Sequence, residues 1–324
     1  MGMRVVVIGG TGHIGTHLVP GLVTLGHDVV VLSRGAREPY RPHGAWAWVE
    51  RRTVDREAGD EEGTFPALVA DLGADVVIDL VCFTERSATL LADALDGQVG
   101  HLLHCGTIWV HGPSAEVPTR EDALRRPFGD YGIAKAAIEA DLLRRSRIGG
   151  LPTTVIHPGH ISGPGWVPIN PAGHLDLSIF RDLADGRQIT LPGLGMETLQ
   201  HVHAADVAGV FLAAIANRSV AVGESFHAAA STAMTLRGYA EAVATWFGSE
   251  ADLAFLPWDE WARTVTPDDA RTTRDHLEHS PHCSMEKAER LLGFHPRYSA
   301  WQTVVSALEA LVDDGRLTRP HRGL

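Results

Sequence analysis

Lysine is scarce in this chain of 324 residues: among 28 Lys and Arg residues together, the only lysines are Lys135 and Lys287. Cysteine is scarce as well, with three residues, Cys82, Cys105 and Cys283. An odd number of cysteines fits no paired disulfide framework and is typical of a reducing compartment. No apolar run is long enough for a membrane span, and the first residues show no leader pattern. These absences predict a cytoplasmic protein that makes no membrane contact.

Basic runs are absent too, and the formal net charge is −12. Affinity for nucleic acid depends largely on Lys and Arg contacts with phosphates, so this charge disfavours DNA or RNA as a partner. The length allows one large α/β unit with a smaller appendage. We therefore expect a small molecule as the partner.

Short apolar, β-branched runs alternate with helical patterns in the first half of the chain. The runs are RVVVIGG, HDVVVLSR, DVVIDLV, GHLLHCGT and PTTVIHPG. Their alternation with helices predicts an α/β fold with a doubly wound parallel sheet of the Rossmann type. Pro and Gly breaks increase beyond residue 160, and ESFHAAA predicts a last core strand. We assign residues 1–160 plus 200–230 to the sheet domain and residues 161–199 plus 231–324 to a smaller, substrate-binding region.

A glycine-rich turn, VVVIGGTGHIG, follows the first predicted strand and opens a helix. Glycines at this position let the backbone approach a pyrophosphate at the positive end of a helix. The context of strand, turn and helix turns a weak pattern into a specific one. The turn therefore predicts a dinucleotide site whose contacts include Gly9, Thr11, Gly12, His13, Ile14 and Gly15.

The end of the second strand indicates which dinucleotide binds. An NAD site carries an acidic residue there for the ribose diol, whereas this chain has Ser33 and Arg34. A guanidinium suits the 2′-phosphate of NADP, so we predict NADP with NAD as the alternative. A solvated surface arginine is the competing interpretation of Arg34.

A Tyr and a Lys stand four residues apart in DYGIAKAAIEAD, at Tyr131 and Lys135. Residues at this spacing share one face of a helix. A nearby ammonium stabilises phenolate, so we expect the pKa of Tyr131 to be lowered toward the range of proton exchange with an alcohol or ketone. In a chain that uses arginine for nearly every other cation, a compact amine here also suits contact with ribose hydroxyls. An exposed helix lysine is the alternative.

These motifs resemble the extended short-chain dehydrogenase/reductase superfamily, and specifically its NAD(P)-dependent epimerase/dehydratase family. HPGHISGPG at 157–165, HVHAADVAGVF at 201–211 and SMEKAERLLGFHPRYS at 284–299 continue the likeness over nearly the whole chain. The resemblance implies a catalytic set of Thr107, Tyr131 and Lys135. It also implies further cofactor contacts at Asp55, Arg56, Leu80, Pro158 and His160. A solvated turn at residues 55–56 and a turn-capping role for Thr107 are the alternatives.

The chain departs from its apparent family beside the catalytic threonine. Sugar-nucleotide 4,6-dehydratases carry an acidic pair there to expel water, whereas this chain has Ile108 and Trp109. Another acid or base then has to come from Cys82, Glu85 or a pocket histidine. Trp109 and Trp166 are candidates to stack on a ring substrate, with core packing as the alternative. The histidines of HLEHSPHC match no standard ligand spacing, so we predict no metal site.

A second departure concerns the substrate. Family members that act on nucleotide sugars carry an arginine before V-H-V-D-D-V-A that clamps the diphosphate. Here that run is Leu199, Gln200 and His201, and only Arg181, Arg187 or Arg274 folding into the pocket could replace the charge. We therefore expect a substrate without a diphosphate.

Together these features predict an NADP-dependent oxidoreductase or lyase that transfers a hydride at a secondary alcohol of a sugar-like substrate, such as a nucleoside or a natural-product intermediate. Redox-neutral epimerisation, dehydration and net NADPH-dependent reduction or oxidation stay open. The stretch DVVIDLVCFTERSATLLADAL also resembles chloroplast stem-loop RNA-binding relatives, so a non-catalytic, RNA-associated protein is the rival. The same region is shorter than in common epimerases, which leaves a homodimer undecided.

Overall fold

The computed structural model describes residues 2–319 of the chain. Its strands are β1 Arg4–Ile8, β2 Asp28–Ser33, β3 Val49–Thr53, β4 Val76–Asp79, β5 His101–Cys105, β6 Thr153–Pro158, β7 His160–Ser162, β8 Ile189–Pro192, β9 Thr198–Leu199, β10 His201–His203, β11 Ser225–Ala228, β12 Met234–Thr235 and β13 Leu253–Leu256. Its helices are α1 Gly15–Thr24, α2 Arg56–Glu62, α3 Thr64–Asp71, α4 Glu85–Leu95, α5 Gly129–Arg147, α6 Ser178–Ala184, α7 Ala204–Ala216, α8 Arg218–Ala221, α9 Leu236–Phe247, α10 Trp258–Trp261, α11 Pro267–His279, α12 Glu286–Leu292 and α13 Ala300–Asp313.

Seven strands form one parallel sheet in the order β11-β6-β5-β4-β1-β2-β3. The chain builds outward from β1 to β3 and then crosses to the other side of β1 to lay down β4. The strand order therefore reverses between β1 and β4, and a crevice opens at the carboxyl ends of the strands at such a point. The predicted α/β doubly wound fold is confirmed.

The two faces of the sheet bury alternate residues of the same strands. Val5, Val7 and Ile78 face a core with α1 and α7, whereas Val6 and Val77 face a core with α3, α4 and α5. Successive side chains of a strand point to opposite faces, so continuous valine runs fill both cores. Burial on both sides explains why these strands show no alternation with polar residues.

A third apolar core lies in the C-terminal part of the chain, between α6, α9, α10, α11 and α13. Two short strand pairs, β8 with β13 and β9 with β12, belong to this part. The predicted division into a sheet domain and a substrate-binding region stays a prediction, which this separate core supports. Helix α12 departs from it, because Ala288 and Leu292 pack in the core beside β11 and α7.

Candidate active site

The glycine turn lies at the crevice between β1 and β4. Gly9 has a φ of +83°, and a Cβ there would lie 2.6 Å from Cγ1 of Val81. A Cβ on Gly15 would lie 2.0 Å from the carbonyl oxygen of Gly10, so both positions exclude larger residues. Within residues 2–319, the backbone N–H groups of His13 and Ile14 have no acceptor. A bare backbone with free donors before α1 fits a pyrophosphate.

Arg34 is exposed at the carboxyl end of β2, directly after the half-buried Ser33. No residue between 2 and 319 accepts a hydrogen bond from its guanidinium. The arginine is thus on the surface and also free for an anion, which fits both sequence interpretations. The predicted contact of Arg34 with a 2′-phosphate stays a prediction.

Asp55 and Arg56 follow β3, as the sequence predicts, but their side chains are already engaged. Asp55 caps α2 by accepting hydrogen bonds from the backbone N–H groups of Glu57 and Ala58. Arg56 lies 2.7 Å from Asp79 and donates to Ser87 at 2.8 Å. Burial opposes ionisation of Asp79, yet Arg56 holds the pKa of that carboxyl below its usual value. The predicted adenine contact of these two residues stays a prediction.

Residues after β4 differ in their access to the crevice. Leu80 is buried, and its N–H donates to the carbonyl of Ile8 across the sheet. Cys82 is also buried, and burial raises the pKa of its thiol to about 11. Such a thiol is a poor acid or base near neutral pH. Glu85 is exposed in the first turn of α4 and is the better candidate of the two.

Tyr131 and Lys135 lie one turn apart at the start of α5, and they differ in exposure. The tyrosine is 40% exposed, whereas the lysine is 2% exposed. Lys135 Nζ donates to the carbonyl oxygen of Cys105, at the end of β5, at 2.6 Å. An ammonium has three donors, and among residues 2–319 this carbonyl is its one acceptor. Two N–H groups therefore remain for a ligand.

The expected lowering of the tyrosine pKa is not what the structure gives. Desolvation of the partly covered phenol is the main cause that raises the pKa of Tyr131 to about 12, and Cys105 adds to it while the Thr107 hydroxyl opposes it. The lysine ammonium lies 5.9 Å from the centre of the phenol ring and bonds the strand carbonyl instead of the phenolic oxygen. The phenol is therefore the protonated form at neutral pH.

Thr107 follows β5 by two residues and lies beside Tyr131, as the resemblance implies. Its backbone N–H donates to Nδ1 of the buried His157 at 3.0 Å. Its hydroxyl accepts from the N–H of Trp109 at 3.3 Å and caps the short turn that follows. The capping alternative is thus correct. A hydroxyl that accepts one hydrogen bond still has a proton to donate, so the catalytic role of Thr107 stays a prediction.

The two tryptophans occupy different places. Trp109 packs edge-on against Tyr131, with ring centres 5.7 Å apart. Trp166 is far along the crevice, where it stacks on His13 of the glycine turn with ring centres 4.9 Å apart. The structure therefore places Trp109 beside the predicted reacting groups, and it places Trp166 beside the predicted pyrophosphate site.

Four aromatic residues near Tyr131 were missed as site residues. Phe83 lies 6.5 Å from its ring centre, and His279 is stacked between Trp109 and Phe128 at 4.3 and 4.2 Å. His276 packs edge-on against Trp109. The histidines come from α11, more than 140 residues away in sequence from Tyr131. Only their spacing of three on a helix could have indicated a shared face.

His160, predicted near the cofactor, is buried at the start of β7, just beyond Pro158 at the end of β6. Neither of its ring nitrogens has a partner among the described residues. Burial, followed by neighbouring histidines that include His276, lowers its pKa well below the usual value. Both nitrogens are enclosed by the fold, so the predicted cofactor contact of His160 stays a prediction.

The three residues at the position of the diphosphate clamp, Leu199, Gln200 and His201, all make contacts within the protein. Leu199 belongs to the C-terminal core. The Gln200 amide bonds the carbonyls of Ala230 and Cys283 at 2.8 and 2.9 Å. His201 lies 3.1 Å from the carbonyl of Ile169. None of the three offers a cation.

The three arginines that could replace the clamp are held elsewhere. Arg187 bonds Asp182 and Asp185 on the surface, and Arg274 bonds Glu278 one turn along α11. Arg181 lies 3.4 Å from a carbonyl near the end of α13. Because these arginines bond groups elsewhere, none of the three places its charge in the pocket.

Two groups of buried side chains have ligand atoms close enough for a metal ion. They are His111, His227 and Cys283, and Asp79, Cys82 and His104. In the second group, the bond between Arg56 and Asp79 places a cation beside the ligands.

In the first group, Arg125 donates to His111 Nδ1 at 2.7 Å, the shorter of its contacts with that ring. His111 Nε2 then donates to His227 Nε2 at 2.7 Å, and His227 Nδ1 donates to the carbonyl of Ser284 at 3.0 Å. A metal would need the His111 Nε2 lone pair and would leave its Nδ1 proton facing Arg125. These hydrogen bonds therefore favour protons over a metal.

Residues 5–229 match a family model described as the NAD dependent epimerase/dehydratase family. The chain belongs to this family. The match covers most of the chain and includes the glycine turn, Thr107, Tyr131 and Lys135. In residues 2–319, no helix is both long and apolar enough to cross a membrane.

The relatives that this chain resembles are named for different activities. A 2'-dehydrokanamycin reductase of Streptomyces kanamyceticus is 34% identical over 42% of this chain, which spans only 37% of that relative. The chloroplast stem-loop binding protein of 41 kDa b of Arabidopsis thaliana is 26% identical over 91% of this chain and 75% of its own length. A UDP-glucose 4-epimerase structure from Thermotoga maritima is 19% identical with a TM-score of 0.72, covering 96% and 99% of the two chains. This last likeness shows the fold.

Proposed function

We propose that the chain is an NADP-dependent enzyme that transfers a hydride at a secondary alcohol or ketone carbon of a sugar-like substrate without a diphosphate. The observation that supports this most is the meeting of Thr107, Tyr131 and Lys135 at the end of β5, beside the crevice that carries the glycine turn. When bound, the nicotinamide cofactor supplies the hydride chemistry.

Each residue of the set has a distinct role in this proposal. Tyr131 exchanges a proton with the reacting oxygen, and the hydroxyl of Thr107 donates a hydrogen bond to the same oxygen. Lys135, fixed at the carbonyl of Cys105, directs its two remaining N–H groups toward ribose hydroxyls. Trp109 provides an aromatic face beside the reacting carbon.

The specificity for NADP over NAD depends on Arg34 in this proposal. Wild-type protein is expected to bind NADPH more tightly than NADH, and Arg34→Ala to lose about 10-fold or more of NADPH affinity, since a charge-assisted bond is worth roughly 1.5–3 kcal/mol. NADH affinity is expected to stay unchanged. Fluorescence titration of both cofactors measures this, with Arg237→Ala on the surface of α9 as control. Equal affinity of the wild-type protein for the two cofactors would refute the assignment.

The nature of the substrate can be tested by a paired assay. Nucleoside-diphosphate sugars are compared with uncharged nucleosides and free sugars, following both cofactor absorbance and product mass because a redox-neutral reaction leaves the absorbance flat. We expect turnover of the uncharged compounds, since Leu199, Gln200 and His201 provide no cation and Arg187 and Arg274 are paired on the surface. Efficient turnover restricted to diphosphate sugars would contradict this expectation.

Net reduction of a ketone is the second candidate. Tyr131 is protonated at neutral pH, since no net shift toward phenolate acts on its pKa, and a phenol is the form that donates a proton to a carbonyl oxygen. A relative named as a reductase of 2'-dehydrokanamycin supports the same direction. Stoichiometric loss of NADPH in the paired assay distinguishes reduction from epimerisation or dehydration.

The RNA-associated alternative draws on the similarity to the chloroplast stem-loop binding protein. The net charge of −12 opposes binding to a phosphate backbone. An RNA-binding role also gives no reason for a buried lysine one turn from Tyr131 beside a strand-end threonine. We therefore favour the enzyme, and we infer a cytoplasmic location from the reduced state of three buried cysteines.

A further inference from the structure

The backbone of Thr107 is held by a single histidine. His157, on the neighbouring strand β6, is fully buried and accepts the Thr107 N–H at Nδ1 over 3.0 Å. Its ring packs directly on Gly106, the residue before Thr107. A Cβ on Gly106 would lie 2.4 Å from Nδ1 of His157. The peptide that carries the reacting hydroxyl therefore rests on this imidazole.

The group that contacts Nε2 of His157 determines which ring nitrogen carries the proton. Since Nδ1 accepts a hydrogen bond, the proton of a neutral ring is on Nε2, which lies 2.9 Å from Oε1 of Glu139. Arg125 donates two hydrogen bonds to the same carboxylate, at 2.7 and 3.1 Å. Burial opposes ionisation of Glu139, but His157 and Arg125 hold the pKa of that carboxyl well below its usual range. A charged Glu139 accepts hydrogen bonds only, so it selects the Nε2–H form of His157.

Glu139 is on the same helix as the predicted catalytic pair. Tyr131, Lys135 and Glu139 are spaced by four residues along α5, and this spacing places them on one helix face. Lys135 bonds the carbonyl of Cys105 at the end of β5. Glu139, through His157, bonds the N–H of Thr107 two residues later. One helix face therefore holds both peptides that flank Gly106.

We propose that Glu139 and His157 are positioning residues that fix Thr107 relative to Tyr131. This inference rests on the proposed function, since it concerns the hydroxyl that is to bind the reacting oxygen. Neither residue touches the reacting oxygen in this proposal. Their effect passes through the backbone of Thr107, where a displacement of about 1 Å is enough to reduce turnover by roughly 100-fold.

The first test needs no substrate. In wild-type protein labelled with ¹⁵N-histidine, the ring signals that disappear in His157→Gln are expected to show protonated Nε2 and unprotonated Nδ1. The Thr107 amide is expected to exchange with deuterium slowly, and to exchange faster in Glu139→Gln, whose amide cannot accept from His157 and Arg125 equally well. A His157 ring protonated on Nδ1, or an unchanged Thr107 exchange rate, would overturn the inference.

The second test is kinetic and has a control on the same helix. Asp141 pairs with Arg144 and Arg145 on the surface of α5, so Asp141→Asn makes the same chemical change on the same helix with no link to Thr107. With the uncharged substrate turned over best in the paired assay, Glu139→Gln is expected to lower kcat about 10- to 100-fold, with KM and NADPH affinity little changed. Asp141→Asn is expected to keep the wild-type kcat.

The outcomes separate this inference from the proposed function. If Glu139→Gln keeps the wild-type kcat while Tyr131→Phe is inactive, the positioning role is wrong and the proposed function survives. If Glu139→Gln lowers NADPH affinity and the thermal midpoint together, with kcat intact in the folded fraction, the link is structural only and the inference is also wrong. If Tyr131→Phe retains turnover, the proposed function itself fails.

Discussion

Replacing Tyr131 with phenylalanine is expected to lower turnover by roughly 10²- to 10⁴-fold, the range that a positioned acid or base contributes. The substitution removes one hydroxyl and leaves the ring, so packing against Trp109 and Phe83 is preserved. Cofactor affinity is expected to change little, because the retained Lys135 carries the ribose contact in the proposed site. The loss should therefore fall on kcat and should leave the NADPH dissociation constant intact.

A second tyrosine provides the control. Tyr298 stacks on His203 with ring centres 4.1 Å apart and lies on the other side of the sheet domain from α5. Tyr298→Phe is expected to keep both kcat and cofactor affinity. Steady-state kinetics on the substrate found in the paired assay, together with fluorescence titration of NADPH, measure both quantities. If Tyr131→Phe loses less than about 10-fold in turnover, the proton transfer belongs to another residue, because a positioned acid or base contributes roughly 10²- to 10⁴-fold.

Replacing Lys135 with methionine is expected to reduce both turnover and cofactor affinity, with kcat/KM lower by about 100-fold or more. Methionine fills a similar buried volume but donates no hydrogen bond to the carbonyl of Cys105 or to a ribose. The thermal midpoint is expected to shift little. The unmet carbonyl costs about 1–3 kcal/mol, and removal of a buried ammonium returns a comparable desolvation energy.

The chain has just one other lysine, which makes a matched control. Lys287 bonds Glu224 and the carbonyl of Ser225, both at 2.8 Å, and it is far from the glycine turn. Lys287→Met removes an equal charge and is expected to keep kcat and NADPH affinity, with some loss of stability. If the two variants lose activity equally, the effect of Lys135→Met comes from general destabilisation and the proposed role of Lys135 is wrong.

Local pattern predicted much of this protein because its signals are short and lie at strand ends. The valine runs of β1, β2 and β4 indicate strands buried on both faces, and VVVIGGTGHIG places the glycine turn directly after β1. Carboxyl ends of parallel strands meet at one edge of a sheet. Residues that follow different strands, such as Arg34, Leu80 and Thr107, are therefore brought to one side without any knowledge of side-chain packing.

Quantities that depend on the surroundings of a group could not be predicted in the same way. The spacing of Tyr131 and Lys135 suggested a lowered phenol pKa, but desolvation of the phenol, with a smaller contribution from Cys105, raises that pKa. Spacing specifies which residues share a helix face, and it carries no information on desolvation. The place of Trp166 shows the same limit, because a long loop carries its ring to His13, and no local spacing indicates that contact.

The sequence by itself therefore determined the doubly wound sheet, the glycine turn and the pairing of Tyr131 with Lys135, since each is encoded within a few neighbouring residues. Thr107 was assigned through the family resemblance. Only the tertiary structure decided which distant groups surround that set. The link from Glu139 through His157 to Thr107 joins α5, β6 and the end of β5, and the stack on Trp109 brings in His279 from α11. Such contacts depend on how helices and strands pack across long stretches of chain, which no local spacing records.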